Sequence, residues 1–190
     1  MSLPITLVVI GKDEASLELF YREHATDSEL ILIANTKGES LAKIANRYLP
    51  SSREVFGLCH ADAWFGPGSL EVFTQTALEG KICGIVGASI ERKYHWCHTN
   101  PVKVSTLDAC AVFLPVQCNL KFDDEMFTGF HCHVEDMCLQ GQKIGMEVVV
   151  PSANATHNSE NKKGEAWRSD YWKYKWLLAA KWRGTLFSTT

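Results

Sequence analysis

The feature that most constrains the fold is a threefold alternation of apolar runs and amphipathic segments within the first 80 residues. The apolar runs lie at 5–10, 29–35 and 54–59, and each is followed by apolar residues at helical spacing. Continuous β-branched runs are typical of strands buried on both faces. Strands that alternate with helices form a mostly parallel sheet with helices on both faces. We therefore predict a single α/β domain.

The helices that this alternation implies have recognisable starts. Leu17, Phe20, Tyr21 and His24 share one face of the first helix. Ser40 is a suitable N-cap for the second helix, and we expect Ser69 to cap the third.

Beyond residue 80 the alternation weakens. Segments 81–90, 105–116 and 146–151 have the composition of strands, and 133–142 has that of a helix. The segment 164–182 predicts a C-terminal helix with four tryptophans and several basic residues. We divide the chain into a main domain, 1–160, and this C-terminal element, 161–190, packed on the domain or at an interface.

The net charge, the apolar runs and the cysteines exclude some classes of protein. The formal net charge of −3 offers no bulk electrostatic attraction for nucleic acid, so we expect no nucleic-acid partner. No apolar run reaches the roughly 20 residues of a spanning helix, and the N-terminus is typical of a strand rather than a signal peptide. The seven cysteines are odd in number, without a CxxC pair. A reduced, cytoplasmic protein is the simplest interpretation.

His60 and Asp62 stand where the third strand ends. Residues two apart on a strand point to the same side, so both side chains can meet one bound ion or diphosphate. A carboxylate suits Mg²⁺ or Mn²⁺, and imidazole tolerates Mn²⁺. The structural alternative is an Asp that caps a turn beside a hydrogen-bonded His.

A second group of ionisable residues lies within 123–136, where Glu135 and Asp136 are the candidates for a general base. Both could instead be ordinary first-turn acids of a helix, favoured by its dipole. His157, beyond the next strand, could complete the site as a ligand or phosphate contact. A competing hypothesis is a Zn²⁺ site, with ligands drawn from the following set: His131, His133, Cys132 and Cys138.

The order of these motifs resembles that of nucleotide-sugar glycosyltransferases of the GT-A fold, in the family 2-like group. Six segments carry the resemblance: "ITLVVIGKDE" (5–14), "NTKGESLAKIANRYL" (35–49), "LCHADAWFGPGSL" (58–70), "TLDACAVFLP" (106–115), "FDDEMFTGFHCHVEDMCLQGQKIGMEVVV" (122–150) and "ATHNS" (155–159). The third segment is similar to the family's DxD-type metal motif, with His60 in the place of the first Asp.

The resemblance implies a Rossmann-like GT-A domain that transfers a sugar with inversion from a nucleoside-diphosphate sugar to a hydroxyl acceptor. It implies a divalent metal, Mn²⁺ or Mg²⁺, held by Asp62 with His60 and His157. Asp136, or Glu135, would be the base. The implied substrate contacts are Asp108, Asn35, His131 and Trp96.

The acceptor is expected to be a saccharide or a lipid-linked molecule. The basic, aromatic C-terminal helix is compatible with a peripheral contact at the inner face of a membrane, or with a homodimer interface. Two alternatives stay open. The second strand ends without the paired aspartates that many family members have, which favours an inactive nucleotide- or sugar-binding module. A nucleotidyltransferase is disfavoured, because the first strand lacks a Gly-rich, basic loop.

Overall fold

The computed structural model describes residues 2–24, 28–91, 93–98, 100–158 and 165–185, with the backbone alone at 165–168. In these ranges the strands are β1 (Ile5–Gly11), β2 (Glu29–Ala34), β3 (Val55–His60), β4 (Ala63–Phe65), β5 (Ile82–Gly84), β6 (Val86–Ala88), β7 (Tyr94–Trp96), β8 (Val102–Lys103), β9 (Thr106–Leu107), β10 (Ala111–Pro115), β11 (Val148–Val150) and β12 (Ala155–His157). The α-helices are α1 (Glu14–His24), α2 (Leu41–Tyr48), α3 (Ser69–Leu78), α4 (His133–Lys143) and α5 (Glu165–Lys181).

The described strands form one large sheet and two small ones. The large sheet has the order β2-β1-β3-β10-β5-β11-β8, in which β10 and β8 run against the other strands. The predicted mostly parallel sheet is therefore confirmed. One small sheet pairs β12 with β4, and the other has the order β7-β6-β9. Strands β1 and β3 lie inside the large sheet, and every residue of β1 is buried. The prediction of a fully buried strand is wrong for β2, which lies at the edge of the sheet and is only partly buried.

The predicted helix starts are partly right. Ser40 caps α2, because its hydroxyl accepts a hydrogen bond from the backbone N–H of Lys43. The prediction for Ser69 is wrong: α3 begins at this residue, and Gly68 occupies the N-cap position with a φ of 79°. The Ser69 hydroxyl donates to the carbonyl oxygen of Asn154, so it links the start of α3 to the loop between β11 and β12 instead of capping the helix. On α1, Tyr21 is exposed although it was expected on the buried face.

The predicted strand at 81–90 divides at Ile85, and its halves enter different sheets. Two glycines allow the close approach of neighbouring strands at this point. A Cβ on Gly84 would overlap the carbonyl oxygen of Ala111, and a Cβ on Gly87 would lie 2.9 Å from the carbonyl oxygen of Thr106. The strand pattern was visible in the sequence, but its change of sheet depends on these long-range contacts.

Helix α5 packs on the domain through a small apolar cluster of its own. Tyr174 and Leu178 are buried against Phe127, Cys132 and Leu139. The opposite side of the helix is open, and Trp172 and Trp176 expose 61% and 76% of their surface. The side chain of Trp167, one of the four tryptophans of the predicted C-terminal helix, lies outside the described part of the chain.

Candidate functional site

The candidate site lies at the carboxyl end of β3, where the strand order of the sheet brings three segments together. His60 is the last residue of β3, and its backbone N–H donates to the carbonyl oxygen of Cys110 at 3.0 Å. The next N–H, of Ala61, donates to the carbonyl oxygen of Ile10 at the end of β1. Asp62 follows in the turn to β4 and is partly exposed. This is the edge at which open α/β sheets bind ligands.

His157 reaches this edge through the pairing of β12 with β4. The antiparallel register places His157 opposite Ala63, and the N–H of Asn158 donates to the carbonyl oxygen of Asp62 at 3.0 Å. As a result, His157 Nε2 lies 3.2 Å from Asp62 Oδ1. The rings of His60 and His157 have centroids 5.6 Å apart.

His157 influences the protonation of both His60 and Asp62. Burial lowers the pKa of His60, and the neighbouring His157 lowers it further, against the opposing effect of Asp62 and Asp108. Burial raises the pKa of Asp62, but the hydrogen bond and charge of His157 outweigh this, and the net pKa is lowered. At neutral pH the site therefore presents a neutral imidazole at His60 and a carboxylate at Asp62, which are the forms that bind metals.

The ligand atoms of His60, Asp62 and His157 all lie within 4.8 Å of one another. Two imidazole nitrogens and a carboxylate oxygen form a donor set that accepts Mn²⁺ and other first-row divalent ions. These residues thus fit the divalent metal that the sequence predicts.

Asp108 and Cys110 lie beside this triad. They precede β10, which runs antiparallel to β3 with Ala111 opposite Cys59. The backbone N–H of Cys110 donates to Asp108 Oδ1 at 2.8 Å, which fixes the carboxylate. Asp108, Cys110 and His157 form a second group of potential ligands whose atoms lie within 4.8 Å of one another.

Glu135 is in the first turn of α4 and is buried. Lys175 of α5 reaches it, with 3.4 Å between Lys175 Nζ and Glu135 Oε1. The second carboxylate oxygen, Oε2, has no hydrogen-bond partner among the described residues. Burial raises the pKa of Glu135, and the charge of Asp108 adds to the effect, whereas Lys175 opposes it.

Asp136 points elsewhere, toward the C-terminal end of α5. Its carboxylate is fully buried and accepts hydrogen bonds from Gln140 at 2.7 Å, Lys181 at 2.9 Å and Trp182 at 2.7 Å. Neighbouring residues on a helix are rotated by about 100° from each other, so Glu135 and Asp136 face different surroundings. Asp136 therefore joins α4 to α5.

Comparison with known proteins identifies the family and supports the fold. A family model described as "Glycosyltransferase like family" matches residues 70–180, more than half of the chain. The chain belongs to this glycosyltransferase-like family. Among solved structures, A197 from STIV is similar in fold, with a TM-score of 0.53 and 12% sequence identity over 84% of this chain and 87% of that one. The predicted GT-A-type fold is confirmed. No curated protein matches the sequence.

The remaining predicted residues of this glycosyltransferase-like domain lie in different surroundings. Asn35 closes a turn, because its side chain donates to the carbonyl oxygen of Glu39 and accepts from the N–H of Glu39. His131 packs against α5, with its ring centroid 5.6 Å from that of Tyr171. Trp96 is half-exposed on β7. The structure thus brings the three candidate metal ligands together. Asn35, His131 and Trp96 lie outside this triad.

The alternative Zn²⁺ site does not form in the described residues. The two groups with ligand atoms close enough to hold an ion contain none of its proposed residues. His133 is instead a fully buried imidazole beside Phe122, and neither ring nitrogen has a hydrogen-bond partner within the described ranges.

Two site residues were missed by the sequence analysis. Cys110 could have been found, since it lies two residues after Asp108 at the start of an apolar strand. No pattern in the sequence identifies Lys175, because its contact with Glu135 depends on the docking of α5 against α4.

Proposed function

We propose that this domain is a metal-dependent, inverting glycosyltransferase that moves a sugar from a nucleoside-diphosphate sugar to a hydroxyl acceptor. The observation that carries the proposal is the convergence of His60, Asp62 and His157 at the carboxyl end of β3, in a member of a glycosyltransferase-like family. Neither feature is sufficient alone, because exposed metal-like clusters are common and families include inactive members.

The triad of His60, Asp62 and His157 is the proposed metal site. His60, Asp62 and His157 would hold Mn²⁺ or Mg²⁺, which stabilises the negative charge of the departing nucleoside diphosphate when bound. Asp108, held by the N–H of Cys110, is positioned to accept a hydrogen bond from a hydroxyl of the donor sugar or acceptor. Asn35 is the candidate contact to the nucleotide, and His131 and Trp96 are candidates for the sugar faces.

Glu135 is the group that we propose as base. Its unpartnered Oε2 can accept the proton of the acceptor hydroxyl while that oxygen attacks the anomeric carbon. The bond from the anomeric carbon to the diphosphate oxygen breaks at the same time, and its electron pair leaves with the nucleoside diphosphate. A raised carboxyl pKa suits this role, because the base then holds the proton more readily. Asp136 is disfavoured as the base, because its carboxylate already accepts hydrogen bonds from three side chains, those of Gln140, Lys181 and Trp182.

The open face of α5 supports a lipid-linked acceptor and a peripheral contact with the inner face of a membrane. Trp172 and Trp176 are one helical turn apart and largely exposed, and Lys173 and Arg183 are exposed as well. Tryptophan is enriched at membrane interfaces, and basic side chains favour anionic lipid. No described helix is long and apolar enough to cross a bilayer. We accordingly propose a cytoplasmic enzyme whose segment 161–190 attaches to lipid rather than forming a homodimer.

Liposome co-sedimentation tests the membrane contact. The chain should sediment with phosphatidylglycerol vesicles, and the double variant Trp172→Ala, Trp176→Ala should not. Tyr21→Ala removes an exposed ring from α1 and is the matched control. Equal sedimentation of the chain and the double variant would contradict the proposal, and light scattering would then show whether the same face forms a dimer.

Titration calorimetry tests the donor site. UDP, GDP, dTDP and CDP are each titrated with and without Mn²⁺, and one of them should bind only with metal. Asp62→Ala should abolish that binding, whereas Glu135→Gln should keep it.

Turnover of the matching nucleotide sugar then separates binding from chemistry. Glu135→Gln should lower the rate by at least about 100-fold, in line with loss of a general base. Binding without any turnover in the unmodified chain would favour the non-catalytic binding module. Full turnover by Glu135→Gln would transfer the role of base to another residue.

A further inference from the structure

We propose that Asp108, Cys110 and His157 form a second cation position, which takes a thiophilic divalent ion such as Zn²⁺. The ligand atoms of these three residues all lie within 4.8 Å of one another, as do those of the first triad. The inference rests on the proposed function only in that both positions use His157. Its chemistry differs, because one ligand is sulfur.

The backbone holds Cys110 in this place from both sides. Its carbonyl oxygen accepts from the N–H of His60 at 3.0 Å, and its own N–H donates to Asp108 at 2.8 Å. The residue is fully buried, so its thiol faces the neighbouring side chains rather than bulk water. Cys110 is therefore fixed between one residue of the first triad and one carboxylate of the second.

The local charge favours a cation at this position. Asp62 and Asp108 both act electrostatically on Cys110, and Asp108 also acts on Glu135. The carboxyl groups of Asp62 and Asp108 therefore place negative charge beside the Cys110 thiol. A divalent ion placed among Asp108, Cys110 and His157 would reduce the repulsion between these groups.

The donor atoms decide which ion fits. Thiolate, imidazole and carboxylate together are a typical zinc donor set, whereas Mg²⁺ and Mn²⁺ prefer oxygen ligands. Coordination requires the thiolate, so the Cys110 thiol releases one proton to solvent as the metal–sulfur bond forms. Because His157 belongs to both groups, an ion at the sulfur position competes with an ion at the first position for this side chain. We infer that thiophilic ions displace the ion that supports transfer.

Cobalt substitution tests the proposal without an activity assay. Co²⁺ is added anaerobically to the full chain, and a thiolate-to-cobalt charge-transfer band is measured in the near ultraviolet. The band should appear in the unmodified chain, disappear in Cys110→Ala and His157→Ala, and persist in Cys83→Ala. Cys83 is a matched control because it is also buried but hydrogen-bonds to the carbonyl oxygen of Phe73. Circular dichroism confirms that each variant is folded.

Asp62→Ala separates this proposal from the proposed function. This variant should lose Mn²⁺-dependent nucleotide binding but keep the sulfur-to-cobalt band. Cobalt binding with visible ligand-field bands but no sulfur band would overturn the second position and leave the first intact. A sulfur band that persists in Cys110→Ala would also overturn it, because another cysteine would then be the ligand. If Cys110→Ala does not fold, loss of the band in folded Asp108→Asn supports the site, and its full retention there contradicts it.

Discussion

Acidification should destabilise this domain in part through the imidazole of His133. Burial lowers the pKa of His133 to about 3, and the nearby His60 and His131 act in the same direction. The ring is fully buried beside Phe122 at the start of α4. Protonation in the folded state would therefore place a charge in an apolar environment without a hydrogen-bond partner among the described residues.

The sign and size of the effect follow from linkage. The folded-state pKa lies below the unfolded value of about 6.5, so the unfolded chain takes up the proton first as the pH falls. The contribution of His133 to stability is complete above about pH 6.5 and decreases down to about pH 3. This contribution changes by about 1.36 kcal/mol for each pH unit within the window. Lowering the pH from about 7 to about 5 should therefore remove about 2 kcal/mol of the His133 contribution to the free energy of unfolding.

Urea unfolding, followed by tryptophan fluorescence at both pH values, measures this loss. His133→Gln removes the titrating group, so its free energy of unfolding should depend on pH less steeply than that of the unmodified chain, by about 2 kcal/mol over the interval. His98→Gln alters an exposed histidine and is the matched control. Identical pH dependence of His133→Gln and the unmodified chain would refute the reasoning, whatever the absolute stability of the variant.

Two further substitutions test the packing around the site. Asp136→Ala leaves Lys181 and Trp182 without their buried acceptor and should cost about 3 kcal/mol in urea unfolding, with faster hydrogen exchange in α5. Unchanged exchange in α5 would contradict the assignment of Asp136 as its anchor. Gly84→Ala places a Cβ against the carbonyl oxygen of Ala111 and should cost about 2 kcal/mol. A thermal midpoint equal to that of the unmodified chain would show that the strands move apart freely.

The strands and helices in the first half of the fold could be predicted from the local hydrophobic pattern of the sequence. Strands β1, β2 and β3 are continuous apolar runs, whereas helices α1, α2 and α3 have apolar residues at helical spacing. The alternation of these two patterns indicates a parallel sheet. The second half was less accessible, because its strands are two to five residues long in the described structure. Such short strands carry little periodicity, so their sheet depends on contacts with distant segments.

The candidate site divides in the same way. The position of His60 and Asp62 at a strand end was a local inference. Their contact with His157 depends on the pairing of β12 with β4, which joins segments about 90 residues apart in sequence. The sequence could not distinguish Glu135 from Asp136 as the candidate base, because both residues suit the first turn of a helix equally well. The docking of α5 supports Glu135 as our proposed base, because Lys181 at the end of α5 and Trp182 directly after it engage Asp136.

The sequence by itself determined the layered α/β architecture, since burial of an apolar face leaves few arrangements for alternating strands and helices. It also determined the residue types available at the carboxyl edge of β3. The tertiary structure alone decided which of those side chains meet. Side-chain chemistry at a site requires atoms to lie within a few ångströms of one another, and in a folded chain such distances are set by long-range strand pairing and helix docking. For this reason the contact of Lys175 with Glu135 emerged only in the folded protein.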